Sequence, residues 1–206
     1  MSSAENILAV PFGRLSDPVR LEMLNWPEAF PYKPEVSLRI GHDGEAILLR
    51  YTVEERSVRA LASVPGQQVY KDSCVEFFLQ PDPADPHYYN FEWNAAGILY
   101  LARRTGRADP EEASADVLKL VEARASEGQA PFAERLAAGP WTLDIRIPVQ
   151  ALWHNPGLVL RGLRARANFY KCGDALAVPH YVTWAPVHTE KPDYHRPEYF
   201  GELVFE

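Results

Sequence analysis

"VYKDSCVEFFLQPDPADPHYYNFEWNAAG", residues 69–97, decides the fold. Val75, Phe77 and Leu79 alternate with Glu76, Phe78 and Gln80. Tyr89, Phe91 and Trp93 alternate with Tyr88, Asn90, Glu92 and Asn94. A period of two is the mark of a strand presenting different residues to its two faces. "PDPADP" (81–86) supplies the turn residues between the two runs, and Gly97 ends a second tight turn. A hairpin centred on Ala84 sets Glu76 directly opposite Glu92. Directly opposed Cβ atoms lie about 5 Å apart, so two carboxylates placed there repel each other.

The same period extends in both directions. "EVSLRIGHDGEAILLRYTV" (35–53) is a second hairpin, turning at His42, Asp43 and Gly44. "ILYLARR" (98–104), "WTLDIRIP" (141–148), "LRARANFY" (163–170) and "YFGELVFE" (199–206) are further strands. "PEEASADVLKLVEARAS" (110–126) has a passable helical face through Val117, Leu118, Leu120 and Val121, and equally suits a helix running into a strand. "VQALW" (149–153), following Pro148, reads as one helical turn. Many short strands with little helix predict an all-β chain, an antiparallel β-sandwich of immunoglobulin-like type with one or two short helices. No repeat or linker divides it, so residues 1–206 are expected to form a single domain.

Composition narrows the partners. The 28 acidic and 21 basic residues give a net charge of −7, which argues against a nucleic-acid or anionic-membrane partner. The 18 prolines break the chain into short elements. No apolar run approaches the roughly 20 residues of a membrane helix, and the N-terminus lacks signal-peptide features. A cytoplasmic monomer is the expectation. Cys74 and Cys172 fit no paired-cysteine zinc spacing and are expected as free thiols, although strand parity turns both toward one side.

The polar parity of residues 69–97 places Glu76, Glu92, Asn90 and Asn94 on the face away from the core, and Arg104 joins them through its parity with Tyr100. Acceptors, amides, rings and a guanidinium on one face suit a sugar, whose C–H face stacks on rings while its hydroxyls seek carboxylates and amides. A merely solvated sheet face has the same composition.

"DSCVEFF" (72–78), "NFYKCGD" (168–174) and "FGEL" (200–203), with "NWPEAFPYKPEVSLRI" (25–40), resemble the family 9 carbohydrate-binding modules and their stand-alone relatives. The resemblance implies a β-sandwich of the DOMON-like type that clamps a terminal saccharide between two aromatic rings. Position by position, it assigns the rings to Tyr70 and Trp184. It makes Glu76 the ionised acceptor for hydroxyls, Arg104 the strand arginine and Tyr181 a further contact. Tyr70 replaces a tryptophan of the family pattern, and Tyr181 stands where an amide can occur. The saccharide is then the partner. No cofactor is expected; family 9 modules can hold a structural calcium and "PDPADP" (81–86) supplies oxygens, but it lacks a calcium-loop motif, and Asp82 and Asp85 read first as turn formers. Two rival readings remain open: a glycoside hydrolase using Glu76 and Glu92, as xylanase-associated chains suggest, and a scaffold that binds no sugar.

Overall fold

The computed structural model describes residues 6–206. The strands in chain order are β1 (Ile7–Val10), β2 (Val19–Arg20), β3 (Glu35–His42), β4 (Ala46–Glu54), β5 (Ser57–Ala60), β6 (Cys74–Gln80), β7 (Tyr88–Asn94) and β8 (Leu99–Arg104). They continue with β9 (Glu111–Glu112), β10 (Glu122–Ala125), β11 (Phe132–Leu136), β12 (Trp141–Pro148), β13 (Arg164–Cys172), β14 (Tyr181–Thr183) and β15 (Gly201–Phe205). One α-helical turn, α1 (Ala115–Leu118), is started by the Ser114 side chain, which accepts from the Val117 N–H. That stretch is a turn of helix running into β10, and Val149–Ala151 is a 3-10 turn.

Eight strands form one sheet in the order β1-β15-β13-β6-β7-β8-β9, with β14 also paired to β13. Five form a second in the order β10-β12-β4-β3-β2, and β5 pairs with β11 apart from both. Strand neighbours are antiparallel except β1 with β15. The two large sheets enclose the main core. Phe77 stacks on Phe169 at 5.0 Å and Phe91 on Trp93 at 5.7 Å. Across from them, Leu49, Tyr51, Leu143 and Ile145 complete the same cluster. Each such side chain contributes roughly 1.5–3 kcal/mol by leaving water. The predicted pairing holds, with Glu76 opposite Glu92; on the next ladder Tyr88 lies opposite Arg104.

The far face of β6, β7 and β13 is not a wet one. Every residue of β6 and β7 is buried on both faces. A second apolar cluster of Phe78, Tyr88, Tyr170, Tyr194, Val187, Phe200 and Trp26 covers that side. The cover is the segment between β14 and β15. Tyr194 stacks on Tyr170 at 4.1 Å and donates its hydroxyl to the Lys171 carbonyl. Asn168 fixes the start of the segment, donating to the Ala185 carbonyl and accepting from its N–H.

At the edge of the main core, Glu55, Lys171 and His180 are wholly buried together. Lys171 Nζ lies 2.9 Å from Glu55 and 2.6 Å from His180 Nε2, and Trp141 donates to the other Glu55 oxygen. Burial would raise the Glu55 carboxyl, but Lys171 and His180 outweigh it and hold it at about 2. Removing the cation leaves a buried charge without its counter-ion. Lys171→Met should therefore lower unfolding stability by about 3–5 kcal/mol in urea titrations, whereas a loss under about 1 kcal/mol would show the triad to be solvated.

Candidate functional site

A cavity of about 460 Å³ opens where the C-terminal cover stops short of the sheet edge. Its floor is the polar side of the central strands: Glu76 from β6, Glu92 from β7, and Tyr100 and Arg104 from β8. Tyr70, on a 3-10 turn before β6, and Tyr181, at the start of β14, stand on its walls. Asp174 follows β13, and Arg107, Tyr194 and His195 close the remaining side. Tyr70, Tyr100 and Tyr181 are each half-buried, so ring surface is left open to the cavity.

The loop that carries the Gly66 and Gln68 part of the wall is held by Asp72. Its carboxylate accepts from the Leu61 and Ala62 N–H groups at 2.9 Å, from Asn94 Nδ2 at 3.0 Å and from Arg59 at 3.1 Å. Asn94 also accepts from the Ala96 and Ile98 N–H groups. With Gly97 at φ +77°, where a side chain is disfavoured, this forms the turn into β8. Asn94 is therefore a turn clamp, not a cavity group.

The floor is a connected network. Asn90 Nδ2 donates to Glu92 at 2.7 Å, and Asn90 Oδ1 accepts from Arg104 Nε at 2.9 Å. Arg104 also donates to the Tyr100 hydroxyl and to the Arg107 carbonyl, both at 2.9 Å. Arg107 reaches across to Asp193 of the C-terminal cover at 3.0 Å. The neutralising arginine nearest Glu92 is thus Arg104. Arg164 instead pairs with Glu202, and Arg166 binds main-chain carbonyls. Arg103, one residue away, points to the opposite side and binds Asp85 at 2.8 Å.

Burial, followed by the neighbouring Glu92, pushes the Glu76 carboxyl well up, and burial lifts Glu92 to about 7. Burial thus works against the expectation of an ionised Glu76, and both carboxyls of the pair are shifted toward the protonated form. His195 is held neutral, brought down to about 3 by burial and then by Arg104 and Arg107.

Four of the five expected site residues, Tyr70, Glu76, Arg104 and Tyr181, line one cavity; Trp184 does not. Trp184 is 7% exposed, and its ring packs edge-on against Phe169 at 5.5 Å as part of the main core. It fits there because position 201 is glycine: a Cβ at Gly201 would come within 2.6 Å of the indole. Tyr70 and Trp184 therefore do not face each other across the cavity, and the other tyrosines on its wall are Tyr100, Tyr181 and Tyr194. Reading the residues in order had no signal for Arg107, Asp174, Tyr194 or His195, which come from aperiodic loops. Tyr100 was reachable through its parity with Arg104.

The 81–86 stretch is the candidate calcium loop. Asp82 accepts from the Ala84 N–H, and Asp85 is engaged by His87 and Arg103. Carboxylates already committed to a turn and an ion pair do not converge on a hard cation, so the loop does not fit calcium. His180 and His195 likewise have protein partners, Lys171 and Tyr88.

Because Glu92 sits near 7 when folded, against 4.5 ordinarily, the folded state holds a proton that the unfolded chain loses between those values. Its contribution to stability falls as pH rises from about 4.5 to about 7 and stays reduced above that. His195 acts oppositely over part of this window, but cancels when a Glu92 variant is compared with the parent. Glu92→Gln keeps an acceptor for Asn90 and removes the buried charge. It should gain up to about 3 kcal/mol relative to the parent between about pH 5 and about pH 8, read from urea midpoints. A gain that shrinks with rising pH would contradict the assignment.

The description "Carbohydrate-binding family 9" matches residues 14–205. A candidate carbohydrate-binding protein from Bacteroides uniformis ATCC 8492 is 39% identical, with a TM-score of 0.93 over 98% of this chain and 100% of that one. Two structures of a family 9 module from Caldicellulosiruptor kristjanssonii share the fold at a TM-score of 0.56. One, in complex with glucose, is 12% identical over 98% of this chain and 96% of that one. The other, in complex with cellotriose, is 10% identical over 98% and 94%. No curated protein sequence matches the chain. With a match running from the second strand's approach to the final strand, the chain belongs to carbohydrate-binding family 9.

Proposed function

We propose that the cavity binds a saccharide and performs no chemistry on it. The observation that carries this is the wall composition: three half-open tyrosine rings facing a floor of carboxyls and a guanidinium. Rings offer flat apolar area to the C–H face of a pyranose. Glu92, Asp174 and Glu112 accept from hydroxyls, Arg104 and Arg107 donate to them, and Glu76 in its protonated form can do both. The volume lies in the usual range for small-molecule pockets, roughly 300–1,000 Å³. The family 9 relatives with glucose and cellotriose bound support the same ligand class.

Two features favour binding over hydrolysis. A retaining glycosidase holds its carboxyls on either side of the scissile bond, one of them ionised as nucleophile. Glu76 and Glu92 are instead neighbours on adjacent strands of one floor, so a sugar lies over both and not between them. Both carboxyls are also shifted upward, which leaves neither a strong nucleophile in mildly acidic solution.

Calorimetry with neutral mono- and disaccharides should give saturable heat without release of reducing sugar. Tyr70→Ala, Tyr100→Ala or Tyr181→Ala should each cost about 1–3 kcal/mol of affinity, roughly 5- to 150-fold, and Tyr100→Ala should also lower stability because its hydroxyl accepts from Arg104. Trp184→Ala should behave oppositely, losing about 3–5 kcal/mol of folding stability. Affinity indifferent to all three tyrosines, or a hydrolysed product, would contradict the reading.

A further inference from the structure

Cys74 and Cys172 stand 98 positions apart in sequence yet face each other directly across β6 and β13. Both thiols are free and buried. Glu76, two residues after Cys74, turns to the same side. Its Oε1 lies 3.1 Å from Cys172 Sγ and 4.0 Å from Cys74 Sγ. Among the described residues, these three form the group of Cys, His, Asp and Glu whose ligand atoms lie within 4.8 Å of one another. Cys172 and Glu76 both line the cavity, so the group is reached from solvent through it.

We infer that Cys74, Cys172 and Glu76 form a site for a thiophilic divalent cation of the zinc class, with its fourth position open to the cavity. Zinc–sulfur bonds of about 2.3 Å and zinc–oxygen bonds of about 2.0–2.2 Å place tetrahedral ligands about 3.5–3.8 Å apart. The separations of 3.1 Å and 4.0 Å bracket that value, so small side-chain rotations bring the atoms into place. Two thiols with one carboxylate are a donor set for zinc or cadmium and a poor one for calcium or magnesium.

The surroundings fit such an ion. The carbonyl of Glu76 is held by the Tyr51 hydroxyl at 2.8 Å, and that of Cys172 by Lys171 Nζ at 2.8 Å, so the main chain behind two ligands is fixed. Two thiolates and a carboxylate around a doubly charged ion leave one net negative charge, and Arg104 and Arg107 stand on the same cavity wall. The three ligands lie on two rigid strands, not on a loop. The site stands whether or not the cavity takes a sugar.

The test uses untagged full-length protein, reduced and freed of metal with a chelator, then titrated with cadmium and with zinc. The expected result is one equivalent bound, release of the protons held by the two thiols and by the Glu76 carboxyl, and an ultraviolet thiolate-to-cadmium charge-transfer band. Cys172→Ser should weaken binding at least about tenfold and diminish the band, Glu76→Gln should weaken binding with the band retained, and the double cysteine variant should have no band. His87→Ala, at the separate Asp85–His87 contact, should change none of these. If the double variant does not fold by circular dichroism, Cys172→Ser alone decides, because its thiol is at the cavity wall. No charge-transfer band, or binding unchanged in the folded Cys172→Ser protein, overturns the inference.

Discussion

The stack of Tyr194 on Tyr170, with the hydroxyl of Tyr194 on the Lys171 carbonyl, pins the C-terminal segment across the far face of the large sheet. The alternation of β6, β7 and β13 makes that face partly polar. Once covered, its polar groups must find protein partners, because an unpaired buried group costs about 1–3 kcal/mol. The apolar members, Phe78, Tyr88 and Tyr170, meet the cover directly. The polar members, Glu76, Glu92 and Arg104, lie where the cover stops, and there the cavity forms.

Opposed buried glutamates are unfavourable in any sheet, and the chain tolerates them through the Asn90–Arg104–Tyr100 network. A placement that breaks a local rule in order to present carboxyls to a cavity is what a binding site requires, and folds usually break such rules at functional places. The buried Glu55–Lys171–His180 triad is the structural counterpart. Its charges are paired within the protein at the edge of the main core, Lys171 lying 2.9 Å from Glu55.

Hydrophobic period carried most of the fold in the sequence. The pairing of Glu76 with Glu92 followed from a loop centred on Ala84, and the turn of helix running into β10 was one of two readings of 110–126. Four of the five expected site residues share a cavity: strand parity and the family resemblance agree on Glu76 and Arg104, while Tyr70 and Tyr181 came from the resemblance alone. Trp184 failed because a tryptophan before Ala-Pro looks the same whether it faces solvent or core. The deciding fact, the space made by Gly201, lies on another strand. The second core was illegible because the segment between β14 and β15 has no period, and its tyrosines are placed by tertiary contacts. Strand parity turned Cys74 and Cys172 toward one side, but their direct pairing was out of reach, because linear spacing does not say which strands become neighbours.

The most direct measurement is a crystal structure of the protein with a neutral mono- or disaccharide diffused in. The account predicts a sugar ring lying over Glu76 and Glu92, flanked by two of Tyr70, Tyr100 and Tyr181, with hydroxyls on Arg104, Arg107 or Asp174. A saccharide bound elsewhere while this cavity stays free of it, or a ring stacked on Trp184 after the C-terminal cover has moved away, would contradict it.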